Sequence, residues 1–77
     1  MKFTVERITE DCDVVIAKVT SLEDACNAMQ NDAFMNYPED AELINWEGLI
    51  CDVVDMLKMN NEFEMKLISV TYKVNII

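Results

Sequence analysis

Seventy-seven residues with fifteen acidic and six basic side chains, a net charge of −9 and no histidine describe one small domain, residues 1–77, that is ill suited to touching nucleic acid directly. Phosphate binding needs clustered lysine and arginine, and an anionic membrane surface repels such a chain for the same reason. Apolar residues make up 52% of the sequence, yet a chain this short buries only about 60% of the surface its unfolded form exposes, so some apolar surface is expected to face a partner or a second copy.

The first two elements read as a hairpin. "KFTVERI" and "DVVIAKVT" are short β-branched segments, separated by the acidic stretch "TEDCD". Asp favours turns because its side chain bonds nearby backbone, which predicts strands near 2–8 and 13–20. Val15, Ala17 and Val19 alternate with Val14 and Ile16, so the second strand is apolar on both sides, as a central or interface strand is.

At "TSLEDACNAMQNDAFM" the period changes to that of a helix. Ser21 is placed to cap it, with Asp24 three residues on, and Glu23 and Asp24 suit the positive helix start. Leu22, Ala25, Cys26, Met29 and Ala33 form one apolar stripe. "NYP" ends this helix. Pro38 then opens a second at its first position, followed by Glu39, Asp40 and Glu42. Its expected core stripe is Leu43, Trp46, Ile50, Val53, Val54 and Leu57, with Lys58 near the negative end.

The tail "EFEMKLISVTYKVNII" reads as a single last strand whose apolar face swaps near Leu67–Ile68, predicting a bulge or a strong twist. The expected fold is therefore α+β, in the order ββααβ: a small antiparallel three-stranded sheet packed on one face by a two-helix hairpin. Strand orders 1-2-3 and 2-1-3 both satisfy the connections.

Chemistry finds few parts. Without histidine, Cys and Ser lack their usual base. Cys12 stands between Asp11 and Asp13, and Cys51 precedes Asp52, neighbours that oppose thiolate formation. "EDCD" supplies one soft ligand where zinc sites want several. It has neither the alternating acids nor the glycine of a calcium loop. One glycine cannot build a phosphate loop. The expectation is no catalytic residue, no metal and no cofactor: a protein that is not an enzyme. The three cysteines are odd in number and form no CxxC, which suits reduced, mostly buried thiols in the cytoplasm. "MKFTVERITED" turns polar too early for a signal peptide, and no run approaches the roughly 20 apolar residues of a membrane span.

The only glycine, Gly48, lies inside the second helix, where it costs roughly 1 kcal/mol relative to alanine. On a helical wheel it shares a face with Ile44, Cys51, Asp52 and Asp55, opposite the stripe of Trp46, Ile50, Val53 and Leu57. Glycine permits close approach, so this face is expected to take a contact: the first helix, a second copy or another protein. Ile44, Glu47, Gly48, Cys51, Asp52 and Asp55, with Glu39 and Asp40 of the first turn, are the candidate partner-binding residues. Six acids and one lysine on this helix favour a positively charged protein partner, such as a nucleic-acid-binding enzyme or complex. In size and charge the chain is similar to small phage-encoded inhibitors of host defence, which imitate nucleic acid. The alternative is a structural homodimer or small accessory subunit joined through apolar helix or strand surface.

Overall fold

A computed structural model describes residues 1–77. Strands β1 (Phe3–Ile8) and β2 (Asp13–Val19) are followed by helices α1 (Leu22–Asn36), α2 (Pro38–Ala41) and α3 (Trp46–Asn60). Strands β3 (Glu62–Lys66) and β4 (Thr71–Ile76) complete the chain. The sheet is antiparallel, four-stranded and ordered β2-β1-β4-β3.

The α+β class stands, but the three-stranded sheet is corrected: the tail is a hairpin, not one strand. The face swap near Leu67–Ile68 marks a chain reversal. Leu67 N–H donates to the Val70 carbonyl at 2.8 Å, and Asp40, 29 residues away, accepts the Ser69 N–H at 2.7 Å. The irregularity of register lies elsewhere. Val5 opposes Ala17 and Glu6 opposes Val15, so Ile16 is the extra residue of a bulge in β2. That strand is an edge of the sheet rather than its centre.

The second helix is also divided. A continuous helix would carry an Asn45 N–H bond to the Ala41 carbonyl. Instead the Trp46 indole N–H takes that carbonyl at 2.9 Å, Leu43 and Ile44 close back on Asp40 and Ala41, and α3 starts afresh behind Asn45. The new start rotates the stripe. Leu49, Val53 and Leu57 are buried; Ile50 is 38% exposed and Leu43 68% exposed, so neither belongs to the core as expected. Asn61 ends α3 in the left-handed region, φ 61°, its N–H returning to the Leu57 carbonyl. Asparagine tolerates that conformation, and the chain reverses into β3 at once.

The core lies between the helices and one face of the sheet. Phe3 and Val5 of β1, Phe63 of β3, and Tyr72 and Val74 of β4 meet Ala25, Met29 and Ala33 of α1 and the stripe of α3. Each fully buried Val or Met contributes about 1.5–3 kcal/mol. Ser21 caps α1 as expected, accepting the Asp24 N–H at 3.1 Å. The other sheet face is polar: Thr4 opposes Lys18 and Asn75, and Glu6 and Glu64 both oppose Lys73.

Candidate interaction surface

Charge is divided between the two layers. From Leu22 to Asn60 the chain carries nine carboxylates and one cation, Lys58; the remaining residues carry six carboxylates and five cations. Nearly all of the net charge therefore belongs to the helical layer.

Two of the nine carboxylates are engaged internally. Asp32 accepts from the Arg7 guanidinium at 2.8 Å, the Tyr72 hydroxyl at 2.7 Å and the Asn36 amide at 3.2 Å. Asp40 is buried and holds the Ser69 N–H. The other seven, Glu23, Asp24, Glu39, Glu42, Glu47, Asp52 and Asp55, are exposed. Desolvation, and then the bond to Asp32, push the Tyr72 phenol far above its usual range. This network ties α1 to β1 and β4 and leaves no buried side-chain polar atom without a partner.

Apolar residues interrupt the acidic layer. Phe34 of α1 is 44% exposed, its ring centroid 6.1 Å from that of Trp46. Trp46, Ile50 and Val54 follow at the four-residue spacing that keeps them on one flank of α3. Ile50, Cys51, Val54 and Asp55 line a shallow hollow in the surface.

The predicted partner-binding residues do not stay together. Cys51 and Asp55 share that hollow, and Glu47 lies exposed on the first turn of α3. Ile44 and Asp52 instead line a second hollow with Phe63 and Met65, on the flank toward β3. Glu39 is exposed on α2, whereas Asp40 is turned inward and cannot meet a partner. No helix crosses at Gly48: the space above it is taken by the Asn45 side chain, 3.3 Å from where a Cβ would stand. Phe34 escaped the sequence reading because the stripe of α1 accounted for that helix without it. The tell-tale was its place one step beyond Ala33, on the flank toward α3.

The cysteines are unpaired, and Cys12 and Cys51 are exposed rather than buried. Cys26 is half-buried, and burial pushes its thiol up. No three His, Cys, Asp or Glu side chains are grouped to hold a metal ion, and no helix is long and apolar enough to cross a membrane. No family model matches this chain, and no curated protein or solved structure is significantly similar to it.

Proposed function

We propose that this protein is a non-catalytic interaction module whose helical layer binds a basic surface of another protein. The division of charge carries the proposal: the helical layer has seven exposed carboxylates against one lysine, and the same layer exposes the apolar flank of Phe34, Trp46 and Ile50, with Asp55 beside Ile50. The carboxylates steer a cationic partner from a distance, and the apolar flank gives it something to bury once docked. In its sharpest form the partner is a nucleic-acid-binding enzyme or complex. The carboxylates then stand where phosphates would lie, and the chain is an inhibitor of the kind phages direct at host defence. Three unpaired cysteines favour the cytoplasm as the setting.

The test is the affinity for the partner captured from the native host, measured with wild type and with the triple variant Glu47→Gln, Asp52→Asn, Asp55→Asn. All three side chains are exposed, so the fold is expected to survive. Binding should weaken at least about tenfold in the variant, and fall steeply as salt rises above about 0.1 M, where the screening length is about 10 Å. An affinity indifferent to both changes ends the proposal.

A further inference from the structure

The sheet has two edges, β2 and β3. On β3 the charged residues Glu62, Glu64 and Lys66 alternate along five positions. β2 is longer, and between Asp13 and Lys18 it carries only Val14, Val15, Ile16 and Ala17. Val14 is 37% and Val15 47% exposed.

The bulge changes what those two end charges can do. In a regular strand, residues five apart point to opposite faces. Here Ile16 is the extra residue, so Asp13, opposing Ile8, and Lys18, opposing Thr4, point to the same face of the sheet. Reversing the strand end for end exchanges a negative charge for a positive one at matching places.

We infer that β2 pairs with β2 of a second copy, antiparallel, about a two-fold axis between Val15 and Ile16. Asp13 then faces Lys18 of the second copy, Lys18 faces its Asp13, and Val14 faces Ala17. Registers centred on Asp13 or on Lys18 bring like charges together, which is unfavourable across strands. A bulge and an edge lysine ordinarily discourage a foreign strand; here they leave an edge matched to itself in one register. The helical layer is the less favourable self-interface, because its exposed carboxylates have one lysine to answer them. Pairing through β2 joins two four-stranded sheets into one continuous sheet, with both acidic layers open on the same side.

Sedimentation across the micromolar range tests this with wild type, Asp13→Lys, Lys18→Asp and an equimolar mixture of the two variants, with circular dichroism verifying that each is folded. Wild type should dimerise. Each variant sets like charges opposite one another twice, and should weaken dimerisation by about tenfold or more. The mixture should dimerise again, because the two lysines of the Asp13→Lys chain then meet the two aspartates of the Lys18→Asp chain. A wild type that stays monomeric, single variants that dimerise as tightly as wild type, or a mixture that remains monomeric overturns the inference.

Discussion

The Tyr72 hydroxyl donates a 2.7 Å hydrogen bond to Asp32, joining the centre of the sheet to α1. The same carboxylate takes Arg7 of β1 on its other oxygen at 2.8 Å. Tyr72 is fully buried, so its ring packs while its oxygen is satisfied. Tyr72→Phe keeps the ring and removes the donor. Hydrogen bonds to charged groups contribute about 1.5–3 kcal/mol, and urea unfolding of this variant should report a loss of that size.

The same phenol makes stability depend on alkaline pH. Below about pH 10, the ordinary phenol value, Tyr72 is neutral in both states and its contribution is complete. Above it the unfolded chain releases the proton while the folded chain keeps it, so stability falls as pH rises. Lys73, held protonated above its usual range by its bond to Glu62, adds a slope of the same sign. Tyr72→Phe retains Lys73. Its urea midpoints between about pH 9 and 11 should therefore fall less steeply than those of wild type.

Asp40 fixes the β3–β4 turn through the Ser69 N–H. Asp40→Ala leaves that donor without its partner and should cost about 1–3 kcal/mol. Asp40→Asn retains an acceptor and should cost less. Hydrogen exchange at the Ser69 amide should quicken more in the alanine variant than in the asparagine variant.

Gly48→Ala should stabilise the protein. Its Cβ would meet only the end of the Asn45 side chain, which is exposed and caps nothing, so it can move aside. The gain in helix propensity is up to about 1 kcal/mol. A raised denaturation midpoint is the expected outcome; a lowered one would mean that something packs over Gly48 after all.

Leu49 and Ile50 separate two descriptions of α3. Leu49 is 4% exposed, and Leu49→Ala should cost about 2–5 kcal/mol. Ile50→Ala removes a partly exposed side chain and should cost roughly 1 kcal/mol. Equal losses would restore the stripe expected from sequence.

What sequence could express was local. The first hairpin and α1 were legible because strand alternation, the Ser21 cap, the Ala25–Met29–Ala33 stripe and Pro38 all act within a few residues of themselves. The turn at Leu67–Val70 was not, because it contains no Gly, Pro, Asn or Asp. Part of its support comes from Asp40, far away in the chain. The break before α3 was hidden for a similar reason: an indole N–H, rather than proline or glycine, takes the carbonyl that would have continued the helix. Both errors reached the candidate surface. The uninterrupted helix misplaced Leu43 and Ile50, and the unforeseen turn hid the inward role of Asp40, whose carboxylate holds the Ser69 N–H.

Trp46, the only tryptophan, stands between the Ala41 carbonyl and the Phe34 ring, on the flank proposed to receive a partner. Its fluorescence is thus a built-in probe. A molecule settling on that flank should shift the emission without any dye attached, while a second chain joining along β2 should leave it nearly unchanged. One optical signal then distinguishes the two modes of association in the same cuvette.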